Sequence, residues 1–184
     1  MPFRSRLKRG ARKILEGVRI IFAPLPNPPG KKPSTDSGKV KDANRPKSNM
    51  SIRAYRAEDQ GAVVQLWHES GLVAPHIDPR GDIARKMAFQ PDLFWVGEEE
   101  GQIVASVMVG YHGHRGWINF LAVSPACQGS GFGREMMEEA EKRLRAMGCA
   151  KINLQVRATN LKVVDFYKRI GFVVEDVVSM GKRL

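Results

Sequence analysis

The chain has 184 residues, 42% of them hydrophobic, which is long and apolar enough for one domain with its own core and excludes a disordered chain. No apolar run approaches the roughly 18–20 residues of a membrane-spanning helix. Cys127 and Cys149 follow no disulfide or zinc spacing, so no metal and a reducing, cytoplasmic setting are expected. The net charge of +11 is unevenly placed: residues 1–49 hold 13 Lys/Arg against 3 Asp/Glu, and the remainder 17 against 16, so basicity belongs to the N-terminal segment.

In residues 1–23, Phe3, Leu7, Ile14, Leu15, Val18 and Phe22 recur at helical spacing among Arg4, Arg6, Lys8, Arg9, Arg12, Lys13 and Arg19. This basic amphipathic pattern is compatible with a weak contact to an acidic membrane surface or to nucleic acid. Being Arg-rich and acid-poor, it also fits a targeting peptide, but without an apolar stretch and cleavage site secretion is not expected. Residues 24–49 carry six prolines among Lys, Ser and Asn and read as a flexible linker. Met50, followed by Ser51-Ile52-Arg53-Ala54-Tyr55-Arg56, reads as the start of a complete domain, so residues 1–49 are either an added segment or an upstream stretch that is not always translated.

From Met50 the pattern alternates. A strand is expected over 52–56, then a helix over 59–70 with Val63, Leu66 and Trp67 on one face. A loop at 75–79 leads to a short helix over 83–89, with Asp82 suited to cap it. Strands follow over 93–98, 103–111 and 117–123, the first two joined by a turn at Glu99-Glu100-Gly101-Gln102 and the last stopped by Pro125. The helix expected over 131–147 puts Phe132, Met136, Ala140, Leu144 and Met147 on one face. Glu138–Lys142, Glu139–Arg143 and Glu141–Arg145 make pairs on the other, and Gly148 follows as a stop. A strand over 151–156, a helix over 160–170 and a strand over 172–180 complete the chain. The order β-α-α-β-β-β-α-β-α-β predicts an α/β (α+β mixed) domain, a mixed central sheet with helices on both faces.

One stretch carries chemistry. Gln128-Gly129-Ser130-Gly131-Phe132-Gly133 lies between a strand and a helix, and three glycines in five positions let successive backbone N–H groups converge at a helix N-terminus. That makes a cradle for phosphate or pyrophosphate. A dinucleotide fingerprint would place its glycines after the first strand with an acid about 20 residues on, and a Walker loop would need Gly-Lys-Ser/Thr; neither is present.

Leu121-Ala122-Val123-Ser124-Pro125 followed by Gln128-Gly129-Ser130-Gly131-Phe132-Gly133 resembles the acetyl-CoA signature of the GNAT N-acetyltransferases. Asn160, then Phe166-Tyr167, then Gly171-Phe172 resembles their second signature. The likeness spans residues 50–184. His112-Gly113-His114-Arg115-Gly116 and the ending Ser179-Met180-Gly181-Lys182-Arg183-Leu184 are similar to the bacterial YpeA-like subgroup. The resemblance implies an acyl-CoA N-acyltransferase fold and transfer of acetyl from acetyl-CoA to a primary amine by direct attack.

The same resemblance implies residue roles. Leu121, Ala122 and Val123 would meet the pantetheine arm; Gln128, Gly129, Ser130, Gly131, Phe132 and Gly133 would bind the pyrophosphate; Asn160 would bind the cofactor arm, cap a helix, or both. Arg134 is either a phosphate neighbour or a solvated side chain. Tyr167 would be the general acid toward the departing thiolate, against the plain reading of a core aromatic. Some relatives carry a Glu base where this chain has Gln155, which cannot take a proton. His112 and His114 read as turn residues, and Cys127 as an incidental thiol with no base nearby. The acceptor is expected near residues 69–89, where Asp78, Asp82, Arg80, Arg85 and Lys86 mix their charges. A non-catalytic acyl-CoA-binding module, or a protein acting through its basic extension, are the alternatives.

Overall fold

The computed structural model describes residues 49–182, so the expectations for residues 1–48 lie outside the described residues. Five strands form one mixed sheet in the order β1 (Ser51–Ala54), β2 (Phe94–Glu99), β3 (Gln102–Tyr111), β4 (Gly116–Val123) and β5 (Ile152–Asn153). Neighbours run antiparallel except β4 and β5, which are parallel. Four helices complete the fold: α1 (Gln60–Glu69), α2 (Pro79–Phe89), α3 (Phe132–Ala146) and α4 (Leu161–Arg169). No helix among the described residues is long and apolar enough to cross a membrane.

The alternation of side chains along a strand divides the core in two. Trp95, Val107 and Val109 pack with Met136, Leu144 and Tyr167 of α3 and α4, whereas Phe94, Val96 and Met108 pack with Val63, Trp67 and Ile83 of α1 and α2. Glu100 and Gly101, both at positive φ, turn the β2–β3 hairpin with the twist that adjoining strands favour. At the start of the sheet Arg53 bridges buried Asp59 at 2.7 Å and Glu98 at 2.8 Å. The Arg53 hydrogen bonds hold the Asp59 carboxyl below the usual carboxylate range.

Three expectations need correction. Helix α2 begins at Pro79, and its cap is Asp78, which accepts from the Gly81 N–H at 3.0 Å. Proline at the first helical position needs no hydrogen bond, so the helix starts a turn earlier than its apolar pattern suggests. Asp82 instead pairs with Arg85. On α3, Lys142 reaches Glu139 rather than Glu138, beside the expected Glu139–Arg143 and Glu141–Arg145 pairs.

The larger correction is at the end of the sheet. Of the strand expected over 151–156, only Ile152 and Asn153 pair, and residues 172–180 form no strand. The latter run beside residues 151–155 through side chains alone, Lys151 to Glu175 and Gln155 to Ser179. Val173, Val174, Val177 and Val178 stay exposed.

Candidate functional site

The site begins with an irregularity in β4. Asn119 pairs with Met108 and Ala122 with Ser106, so Phe120 and Leu121 together oppose Val107: a bulge. Phe120 has φ +49°, an unusual conformation for a bulky residue. Its ring stacks on Trp67 of α1 at 4.2 Å and 14°, and Trp67 Nε1 donates to Ser106 Oγ on the facing strand at 2.9 Å. An aromatic pair contributes about 0.5–1.5 kcal/mol beyond area burial, comparable to the strain. Helix α1 thus clamps the bulge.

The bulge lies where β4 loses its neighbour. Parallel pairing with β5 covers only Gly116–Ile152 and Trp117–Asn153. The Ser124 N–H donates to Val104 O, so alternation turns the backbone of Ala122 toward β3 and that of Leu121 and Val123 toward the edge β5 has left. Val123 O accepts there from Ser70 Oγ at 3.2 Å and Gln128 Nε2 at 3.5 Å. No strand among the described residues pairs with Leu121 on that side. An extended polar chain would find strand-like partners along it.

That edge leads into the glycine loop. Gly129 (φ +91°) and Gly131 (φ +93°) take left-handed conformations, and Gly131 stands at the N-cap of α3. The N–H groups of Gly131, Phe132 and Gly133 have no backbone acceptor among the described residues, as the first turn of a helix requires. Arg134 shares this turn. At Gly133 the packing is close: a Cβ there would come within 3.3 Å of the Phe166 ring, which would have to give by a fraction of an ångström. Its absence lets α4 pack against the start of α3, and Lys162 of α4 reaches Gln128 Oε1 at 3.4 Å.

Helix α4 places the remaining residues. Asn160 caps it, its Oδ1 accepting from the Val163 N–H at 3.3 Å, while the residue stays exposed. Tyr167 is 9% exposed, edge-on to Phe166 and Phe172. Burial pushes its phenol up to about 12, so it is protonated at any physiological pH. It lines a groove of about 1540 Å³ between α4, residues 150–158 and residues 172–180, and Trp117 lines the same groove. Leu121, Val123, Val163, Phe166 and Tyr167 all belong to the core around α3. The structure therefore gathers β4, loop and α4 around one helix end.

Gln155 lines the same groove as Tyr167, whereas Cys127, His112 and His114 do not. The Gln155 amide is exposed and donates to Ser179 Oγ. Cys127 faces Glu99 at 3.9 Å, and burial, then Glu99, push its thiol up, disfavouring a nucleophilic thiolate. The His112 and His114 rings lie 6.3 Å apart, and no group of three or more metal-ligating side chains occurs among the described residues. The bulge residue Phe120 and its clamp Trp67 escape sequence reasoning, since the two are brought together only by the fold.

Comparison with known proteins gives the family. Residues 61–172 match the model of the Acetyltransferase (GNAT) family. The chain is 44% identical over 135 residues to an acetyltransferase of Pectobacterium atrosepticum, covering 73% of this chain and 96% of that one. Among solved structures, it is similar to Ard1 from Thermoplasma volcanium, with a TM-score of 0.61 and 20% identity over 70% of this chain and 85% of that one. It is also similar to a predicted acetyltransferase with acetyl-CoA from Clostridium acetobutylicum, with a TM-score of 0.57 and 20% identity over 72% of this chain and 96% of that one. The chain belongs to the GNAT family and is an acyl-CoA-dependent N-acetyltransferase.

Proposed function

We propose that this GNAT enzyme takes acetyl-CoA as its donor and transfers the acetyl group directly to a primary amine. The observation that carries this is the unpaired edge of β4 past the bulge, running into the three free N–H groups at the start of α3. A pantetheine arm has the amide spacing to add to such an edge as a strand would, through Leu121 and Val123, whereas Ala122, also expected to contribute, pairs with Ser106 of β3. Its pyrophosphate suits the N–H groups of Gly131, Phe132 and Gly133, favoured by the helix dipole, whereas those of Gln128 and Ser130, also expected to contribute, donate instead to Pro125 O and Cys127 O. Asn160, already a cap through Oδ1, keeps its amide N–H₂ for the arm.

Acetyl-CoA supplies the thioester; the chain's residues orient it and manage charge. The amine lone pair attacks the thioester carbonyl carbon, the C–S bond breaks, and the sulfur leaves with the electron pair. The amine passes its proton to solvent, and the thiolate takes one back from solvent once it has left. Tyr167, held protonated, donates a hydrogen bond to the departing thiolate. A phenol near 12 is a weaker acid than a thiol, whose ordinary value is about 8.5, so stabilising the thiolate is easier for it than full proton transfer. With Gln155 unable to act as a base, the amine loses its proton to solvent in the open groove, and positioning supplies the rate.

The test is CoA release with a panel of amines. Tyr167→Phe should lower kcat about a hundredfold while leaving KM for acetyl-CoA unchanged. Equal turnover in the variant would remove Tyr167 from the chemistry, and binding without turnover in the parent would leave only a binding module.

A further inference from the structure

A second, smaller pocket opens on the α1–α2 face of the sheet, about 260 Å³, between the end of α2 and the start of β4. Lys86, Phe89, Gln90, His112, Trp117 and Asn119 contribute to its wall, and no Asp or Glu does. Trp117 also lines the groove that holds Tyr167, so the two cavities share a wall.

Lys86 is the unusual member. It is 9% exposed, and its ammonium donates to the Val109 carbonyl. Burial, with no compensating carboxylate among the described residues, lowers it from 10.5 to about 8. The titratable neighbours in the lining are Tyr111 and His112. On α2 itself, Asp82 is engaged by Arg85, and Arg80 by Gln60 of α1.

A structural role is available but insufficient. Strand β2 begins at Phe94, opposite Met108, so the edge of β3 beyond it lacks a strand partner. Two side chains take over: Gln90 serves both the N–H and the C=O of Tyr111, and Lys86 serves Val109. An amide does the first job without burying a charge; a lysine does the second at the cost of desolvating one. That cost is offset when an anion enters the pocket. Asn119, exposed and without a hydrogen-bond partner among the described residues, adds amide donors on the same wall. One ammonium and one amide match the single charge of a carboxylate.

Resting on the acetyltransferase reading above, we infer that the pocket formed by Lys86, Asn119 and Trp117 binds a carboxylate on the acceptor, so that the enzyme acetylates amines that also carry a carboxylate.

The test uses the full chain and matched acceptors: glycine, β-alanine and lysine, each beside its carboxamide. The carboxylate member should be preferred about ten- to hundredfold in kcat/KM, the range of a hydrogen bond to a charged group. Lys86→Gln, which keeps a donor for Val109, should erase the preference by raising acceptor KM, with KM for acetyl-CoA unchanged. A preference that is absent, or that survives in an active Lys86→Gln enzyme, overturns the inference. Should no amine turn over, the acetyl-transfer reading is what fails. The pocket is then judged by NMR titration of the Lys86 ammonium with N-acetylglycine: an upward shift, lost on Asn119→Ala, supports it, and an unmoved titration overturns it.

Discussion

The two sides of β4 solve different problems with different materials. On the α3 side, the proposed donor site is built from backbone: a strand edge and N–H groups of a helix end left open by the described residues, and left-handed glycines. On the α2 side, the pocket is built from side chains of α2, β3 and β4, with one buried charge at its centre. Backbone recognition suits a donor that is the same in every turnover. Side-chain recognition can be changed one residue at a time, which is what a specific acceptor requires. The contrast teaches that the proposed donor site has to be broken through conformation, and the proposed acceptor pocket through chemistry.

The largest effect is expected on the backbone side. Gly131→Glu places a side chain at φ +93° and a negative charge where the proposed pyrophosphate would lie. Like charges brought together cost several kcal/mol, so acetyl-CoA affinity should fall at least about a hundredfold by calorimetry. Gly131→Ala should lose far less; equal losses would mean that strain, not charge, is what matters. Next comes Tyr167→Phe, with its drop in kcat of about two orders of magnitude at constant KM for acetyl-CoA.

A smaller effect, of opposite sign, is expected on the side-chain side. Lys86 is lowered to about 8 from 10.5, so below pH 8 both folded and unfolded chains carry the proton and the folded one bears the full cost of burial. Between about pH 8 and 10.5 the folded chain is neutral while the unfolded one is still protonated, and the cost fades; above that it is gone. Lys86→Met should therefore be more stable than the parent at pH 7, by about 1–2 kcal/mol after losing the Val109 hydrogen bond. That advantage should shrink as denaturation is repeated toward pH 10.5. A variant less stable at pH 7 would show that the lysine stabilises the fold.

The smallest effect is at Asn160. Removing its cap in Asn160→Ala should cost about 1 kcal/mol of stability, which Asn160→Asp should restore. If KM for acetyl-CoA rises in both variants, the amide nitrogen touches the donor; if in neither, Asn160 is a cap alone.

The contrast between the two sides also explains what could be read in advance. The glycine loop and helix end were legible because left-handed backbone and helix starts demand particular residues at fixed spacings, and Pro125 and Gly148 bound those elements as expected. The bulge was not: nothing local in Asn119-Phe120-Leu121 forces it, and it depends on Trp67, more than fifty residues earlier. Lys86 was visible only as one charge among several. Its place three residues after buried Ile83, on the inward stripe of α2, was the available signal. The strand expected over 172–180 contains Val173, Val174, Val177 and Val178, whose branched side chains favour strands. Such a preference takes effect only where a neighbouring strand offers its backbone.

Trp117 has a practical consequence. The chain has three tryptophans; Trp67 and Trp95 are buried at 0% and 3% exposure, whereas Trp117 is partly exposed in the wall between the two cavities. Its indole emission can report ligands arriving from either side. Stopped-flow mixing of acetyl-CoA and an amine, singly and in either order, would then reveal which substrate the enzyme admits first.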